Sequence, residues 1–257
     1  MEALEDVVLV DVHDGVMTIR INRPQARNAI NLAVARRIAS ALTELDARAD
    51  LRTAVLCSSG EHFSAGADLK AILRGERARV PTRGFGGLTA QPPKKPLIAA
   101  VEGYALGGGC EMALACDLIV ASSTARFGLP EVKRGLIAAA GGLIRLPRQV
   151  PYRIAMEMAL TGDPIDAEHA LRIGMINRVV DAGQAFVEAR RLAATVARNG
   201  PLALVASKQI INGSWAWDMD EAFDRQHTMA EAVFASDDAK EGPLAFAEKR
   251  PPFWQGR

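Results

Sequence analysis

The chain has 257 residues, enough to bury a large core as one big domain or as a main domain with a smaller appendage. With 31 basic against 30 acidic side chains the formal charge is +1, so neither nucleic acid nor an anionic membrane is the expected partner. The start, MEALEDVVLVDV, is acidic where a signal peptide would be basic, and no apolar run approaches the roughly 18 residues of a membrane span, which predicts a soluble cytoplasmic protein.

VVLVDV (7 to 12) and VMTIRIN (16 to 22) flank the turn sequence His13-Asp14-Gly15 and read as a hairpin. Leu32, Ala35, Ile38, Leu42 and Leu45 then recur at the period of one buried helix face. TAVLCSS (53 to 59) predicts a strand, followed by a glycine-rich turn and a helix from near Asp68. The segment ILRGERARVPTRGFGG has no clean period and reads as a mobile surface loop, its arginines either solvated or set against an anionic ligand. PLIAAVEGYA (96 to 105) reads as one nearly unbroken buried strand leading to a GGG turn and a helix. DLIVAS (117 to 122) and Ala125 to Phe127 read as further strands, and repeated strand, turn and helix units indicate an α/β fold with substantial parallel pairing. Phe186, Ala189, Leu192 and Val196 mark a helix face that ends at Gly200-Pro201. Two or three helices follow, with a tail, KRPPFWQGR, whose Phe253 and Trp254 need cover from the body or from a neighbouring subunit.

Three cysteines without a CxxC pair and four scattered histidines, His13, His62, His169 and His227, show no metal-ligand spacing, so no metal site is expected. The chemistry concentrates elsewhere. In GYALGGGCEMALACD (103 to 117) a strand ends in glycines and enters a helix, leaving the first helical N–H groups unpaired at the positive end of the helix dipole. HFSAGADLK (62 to 70) repeats the device, and two such turns converging on one oxygen would form an oxyanion hole. Close helix–strand packing is the structural alternative. A nucleotide loop is disfavoured because neither turn has a GxGxxG or GxxxxGK[ST] pattern. Glu111 heads into an apolar helix, where a carboxylate must be paired, protonated or used. Glu131, after Pro130, is either an ordinary loop acid or a second carboxyl held at a fixed angle.

INRPQARNAIN (21 to 31), FSAGADLK (63 to 70), KPLIAAVEGYALGGGCEMALACD (95 to 117), ARFGLPEVKRGLI (125 to 137), GGLIRLPR (141 to 148), TGDPIDAEHALRIGMINRVV (161 to 180) and EGPLAFAEKR (241 to 250) together resemble the enoyl-CoA hydratase/isomerase, or crotonase, superfamily. The resemblance implies a spiral of repeated ββα units over residues 1–199 and a helical trimerisation region over 200–257, assembled as a trimer or a dimer of trimers. It implies an acyl-CoA substrate and no metal or redox cofactor. The thioester oxygen would sit between the backbone N–H groups of Ala67 and Gly108, and the coenzyme A would meet Ala26, Arg27, Ala65, Asp68 and Leu69. Phe246 and Lys249 match CoA-touching residues that relatives supply from an adjoining helix or subunit.

Hydratases of this family carry two glutamates at the positions of Glu111 and Glu131, whereas isomerases commonly keep one. Water addition to a 2-enoyl thioester needs a base for the water, an acid for Cα and a place for the enolate charge. The family assigns the water to Glu111 and the proton to Glu131, and burial with mutual repulsion is expected to keep one of them protonated. Each hole donor contributes about 3 kcal/mol to the enolate. Where hydratases often read IPGAGG, this chain reads IAAAGG (137 to 142), and Leu143 and Ile144 replace the usual Thr and Gln, which predicts a more apolar pocket with Ala139 near the water. The loop after Asp68 and the C-terminal ending also look like the carnitinyl-CoA dehydratase branch and hydratases of bulky acyl groups. A dehydratase or isomerase is therefore the alternative in this fold, and a non-catalytic acyl-CoA-binding protein the alternative in another class.

Overall fold

The computed structural model describes residues 7–257; the acidic start at residues 1–6 lies outside the described residues. Strands β1 (Val8–His13) and β2 (Val16–Ile21) form the predicted antiparallel hairpin. Its turn residues Asp14 and Gly15 both take positive φ, 51° and 72°, the twist that two-residue hairpins favour. Helix α1 (Leu32–Ala47) then crosses back to β3 (Thr53–Ser58), which pairs parallel with β2. Asn31 caps α1 by accepting from the Val34 amide at 3.0 Å.

After β3 come a short helix α2 (Leu69–Leu73) and two two-residue strands, β4 (Arg79–Val80) and β5 (Gly84–Phe85), paired antiparallel. The arginine-rich segment is thus a small hairpin and not only a solvated loop. Strand β6 (Leu97–Val101) is entirely buried, but the predicted continuous run to residue 105 breaks at Glu102 and Gly103. Glu102 turns aside to accept the amides of Gly183 and Ala185, and the chain re-enters as β7 (Tyr104–Leu106) in a different sheet. That bend aims the following turn away from the main sheet and toward the turn at residues 64 to 67.

Helix α3 (Gly108–Leu114), β8 (Leu118–Ser122) and β9 (Arg126–Gly128) follow. Next come α4 (Gly142–Gln149), α5 (Tyr152–Thr161), β10 (Ile165–Asp166), α6 (Ala167–Arg172), β11 (Arg178–Val180) and α7 (Ala185–Ala197). The six-stranded main sheet runs β1-β2-β3-β6-β8-β11, parallel from β2 onward, and the three-stranded second sheet runs β10-β9-β7.

Strand alternation divides the core between the two faces of the main sheet. Met17, Ile19, Ala54, Leu56, Leu97 and Ala99 face α1 in one apolar cluster. Val16, Val55, Cys57, Ile98 and Ala100 meet α7 in the other. There the fully buried positions are Ala185, Ala189 and Ala193, so the helix seats close to the sheet, with the predicted Phe186 and Leu192 packed beside them.

Three C-terminal helices, α8 (Pro201–Ser214), α9 (Met219–Phe234) and α10 (Asp237–Ala247), extend from this body. Lys208 on α8 ties them to it through Asp117 at 2.6 Å and the Lys95 carbonyl at 2.9 Å. The tail folds back on its own chain: the Trp254 indole donates to the Arg198 carbonyl at 2.7 Å, and Asp238 accepts the amides of Gln255 and Gly256. Trp254 therefore finds its cover within the chain, whereas Phe253 stays 76% exposed.

Candidate active site

The two glycine turns lie side by side. Ser64 donates its amide to Tyr104 and accepts the amide of Leu106, forming an isolated parallel bridge between the segments. Gly66, at φ 94°, faces this contact so closely that a Cβ would stand 2.7 Å from the Leu106 carbonyl and 3.1 Å from the Gly108 nitrogen. Only glycine tolerates both the backbone conformation and the approach. One residue further on in the first turn is Ala67, and the Gly108 amide borders the second.

Both amides have a reason to point outward. The bridge to Ile30 uses the Gly66 carbonyl and the Asp68 amide, so the Ala67 N–H between them is turned to the other side. Gly108 opens α3, where first-turn amides have no intrahelical acceptor. Ala67 and Gly108 line one cavity of about 1180 Å³, together with Glu111 and Glu131. The structure thus brings the four predicted catalytic positions to a single space.

Glu111 is 2% exposed and held from across the cavity. Its Oε1 accepts the Ala140 amide at 2.7 Å and the Gly142 amide at 2.8 Å. These donors, at the entry to α4, were not legible as site residues, because a backbone N–H leaves no mark in the sequence. Both bonds fall on Oε1, and neither engages Oε2. Burial raises the Glu111 pKa, and the negative charge of Glu131 raises it further against the pull of the two amides.

Glu131 sits in a short 3₁₀ turn, Pro130–Arg134, with its Oε1 packed against Gly107: a Cβ there would lie 3.0 Å from it. Gly107 takes φ 55°, ψ −128°, a conformation that glycine makes possible, so the same residue turns the chain and admits the acid. The Glu131 Oε2 is buried without a hydrogen-bond partner among the described residues. Burial raises its pKa, with Arg134 opposing. An unpartnered buried carboxyl oxygen is best accommodated protonated. Cys110, beside these acids, has its thiol pushed far up by burial and by both carboxylates, which removes it as a nucleophile.

The predicted coenzyme-binding positions separate into two groups. Arg27, Ala65, Asp68 and Leu69 line the cavity, and the Ala65 amide donates to the Arg27 carbonyl at 3.0 Å. Ala26 borders them at the end of its own 3₁₀ turn without lining the cavity. Asn28, fully buried, braces this corner through the carbonyls of Ser59 and His62, and it permits the left-handed Arg27 and Asn28 backbone. The Asp68 side chain caps α2 and pairs with Arg23 at 3.1 Å, while its amide donates to the Ile30 carbonyl and its carbonyl accepts the Ile72 amide, so Asp68 serves first to fix this corner of the cavity. Phe246 lies at the end of α10 and Lys249 just beyond it, both outside the cavity lining, with Phe246 86% exposed.

Apolar walls of the cavity come from Ile72, Phe85, Leu136, Ile137 and Ile144, the small hairpin contributes Arg79, and the segment leading into it contributes Arg77. Leu143, expected beside Ile144, does not line it. Ala139 lines it and is not among the residues with positive φ, so the replacement of a flexible position costs no backbone strain.

The chain matches the family model described as enoyl-CoA hydratase/isomerase over residues 11–257. The crystal structure of an enoyl-CoA hydratase from Mycobacterium tuberculosis H37Rv superposes with a TM-score of 0.97 at 53% identity, covering 98% of this chain and 100% of that one. A carnitinyl-CoA dehydratase of Citrobacter koseri is 42% identical over 253 residues, 95% of this chain and 97% of that protein. A probable enoyl-CoA hydratase of Mycobacterium tuberculosis is 39% identical over 251 residues, 96% of this chain and 97% of that protein.

Proposed function

The chain belongs to the enoyl-CoA hydratase/isomerase family, and from that premise we propose that it adds water reversibly, in the syn sense, to a 2-enoyl-CoA to give the 3-hydroxyacyl-CoA. One observation carries the reading: a buried and a half-buried glutamate, both with raised pKa, share a cavity with two outward amides, and the Glu131 Oε2 has no partner among the described residues.

In this reading the thioester oxygen rests between the amides of Ala67 and Gly108. Glu111 holds a water through Oε2 and takes its proton as the oxygen bonds to Cβ. The electron pair of the double bond moves toward the thioester oxygen, where each amide stabilises the enolate by about 3 kcal/mol. Glu131, protonated, gives its proton to Cα from the same face. Glu111 has then gained the proton that Glu131 has lost, and transfer through water resets the pair. The pair and the hole supply every acid and base the reaction needs, so we propose no metal or redox cofactor.

Arg27, Ala26, Ala65, Asp68 and Leu69 are proposed to meet the coenzyme. The C-terminal region, residues 200–257, is proposed to form a trimer or a dimer of trimers in which Phe246 and Lys249 reach a neighbour's coenzyme; the exposure of Phe246 and the absence of any buried residue in α9 support this. No helix among the described residues is long and apolar enough to cross a membrane, and the cytoplasm is proposed as the site of action. The 42% identity to a carnitinyl-CoA dehydratase favours, as second reading, the reverse elimination on a polar acyl group. Incubation with straight, branched and crotonobetaine-type enoyl-CoAs, with products weighed, separates the readings. A gain of one water supports hydration and the best substrate names the acyl class. An unchanged mass with a moved double bond supports isomerisation, and binding without change supports a carrier.

A further inference from the structure

We propose that Arg145 is a positioning residue for this reaction, a guanidinium brace joining the turn that holds Glu111 to the loop whose Phe85 packs against Gly108. The proposal rests on the role of Glu111 given above. Arg145 stands in the first turn of α4 and lines the cavity. Its Nη2 donates to the Thr89 carbonyl at 2.6 Å. Its Nη1 lies directly over Gly141, where a Cβ would collide with it. Gly141 caps α4, and its two neighbours, Ala140 and Gly142, are the residues whose amides grip Glu111.

The other end of the brace is equally close to the chemistry. Thr89 is 3% exposed and donates its amide to the Phe85 carbonyl at 3.2 Å, so its own carbonyl belongs to the turn that carries Phe85. The Phe85 ring fills the space a Cβ on Gly108 would need. One side chain therefore connects the water-holding acid with the wall behind the oxyanion donor, across 56 residues of sequence.

Electrostatics argue that this placement is not for stability. A cation in the first turn of a helix opposes the helix dipole, and a half-buried guanidinium sacrifices solvation that one bond to a carbonyl does not restore. What a cation adds is a field on Glu111: Arg145 draws the Glu111 pKa down while burial and Glu131 push it up, and Glu111 in turn supports the charge of Arg145. The groups facing Glu111 are Glu131 from the 3₁₀ turn, Arg145 from α4 and, on its own helix, the Cys110 thiol. Of these only Arg145 favours the ionised form that accepts the water's proton.

The test compares Arg145→Met and Arg145→Lys in the full chain by two readouts. Carbon-13 NMR of labelled glutamate carboxyls, with Glu111→Gln to assign the signal, should show Glu111 titrating at higher pH in Arg145→Met and near its wild-type position in Arg145→Lys. Enoyl-CoA turnover should fall about 10- to 100-fold in kcat for Arg145→Met with KM nearly unmoved, because the binding surface is intact and the acid is misplaced. The acidic limb of its kcat profile should move up with the titration. An unmoved Glu111 signal in Arg145→Met, or an undiminished kcat, overturns the proposal. If Arg145→Met does not fold, Arg145→Lys decides: a lowered kcat with the limb in place agrees, and wild-type kcat or a shifted limb refutes. Should the wild-type protein hydrate no enoyl-CoA, the proposed function fails, while the NMR titration still judges the brace.

Discussion

Replacing Glu131 by glutamine keeps the shape of the side chain and removes the one proton that the mechanism delivers to Cα. General acid catalysis of this kind is worth about 10²- to 10⁴-fold, or about 3–5 kcal/mol of barrier, so kcat for hydration should fall by that factor. KM should change little, because Glu131 is not among the groups proposed to hold the coenzyme. The pH profile gives a second signature. Glu111 must be ionised and its pKa is raised, so activity fails as pH falls through that value; Glu131 must be protonated and its pKa is raised, so activity also fails as pH rises through its own. The glutamine variant should lose the alkaline limb and keep the acidic one. Stability moves the opposite way. A carboxyl whose pKa is raised by folding binds its proton more tightly in the folded chain, so its contribution declines as pH rises from the ordinary carboxylate range through the raised value. At neutral pH Glu131→Gln should therefore be at least as stable to heat as wild type. A stopped spectrophotometric assay across pH, paired with thermal unfolding, checks both. A variant retaining well over about a hundredth of wild-type kcat, more than the weakest general-acid effects allow, would refute the proton-donor role.

Other substitutions test the remaining parts. Gly66→Ala places a methyl 2.7 Å from the Leu106 carbonyl in a left-handed conformation, and should cost about 1–3 kcal/mol of stability and about 100-fold in kcat by parting the two turns; calorimetry and turnover measure the pair. Asp68→Ala removes the cap of α2 and one ion pair to Arg23, and should lower stability by about 1 kcal/mol in chemical denaturation while raising KM for the CoA ester more than it lowers kcat. Trp254→Ala uncovers Gly200 and Gly242 and frees the Arg198 carbonyl, so limited proteolysis should cut the C-terminal tail faster than in wild type.

Much of the site was legible because its chemistry announces itself in residue type. Glycines between strand and helix marked the two turns, the family resemblance pointed to Ala67 and Gly108 within them, and an acid in an apolar helix marked Glu111. What escaped was set by three-dimensional context. The apolar run of residues 96 to 105 gave no sign of the bend at Glu102 and Gly103, since burial on both faces erases the period that separates one strand from two. The hairpin of β4 and β5 is built from two-residue strands, too short to carry alternation, so it read as loop, although it brings Arg79 and Phe85 to the cavity. Leu143 and Ile144 are adjacent and similar, yet only Ile144 reaches the cavity, because α4 turns successive side chains by about 100°. The amides of Ala140 and Gly142 and the arginine beside them become visible only when the chain is folded around Glu111.

The central claim is that water is added at Cβ and a proton at Cα on the same face of a CoA-bound double bond. Turnover of the preferred 2-enoyl-CoA in deuterated water, with the product weighed and its stereochemistry resolved by NMR, tests it most directly. The account predicts a 3-hydroxyacyl-CoA carrying one deuterium at Cα, syn to the new oxygen, formed by the wild type and abolished by Glu111→Ala and Glu131→Ala. An acyl-CoA that binds but gains no water, or a product formed undiminished by either variant, would contradict it.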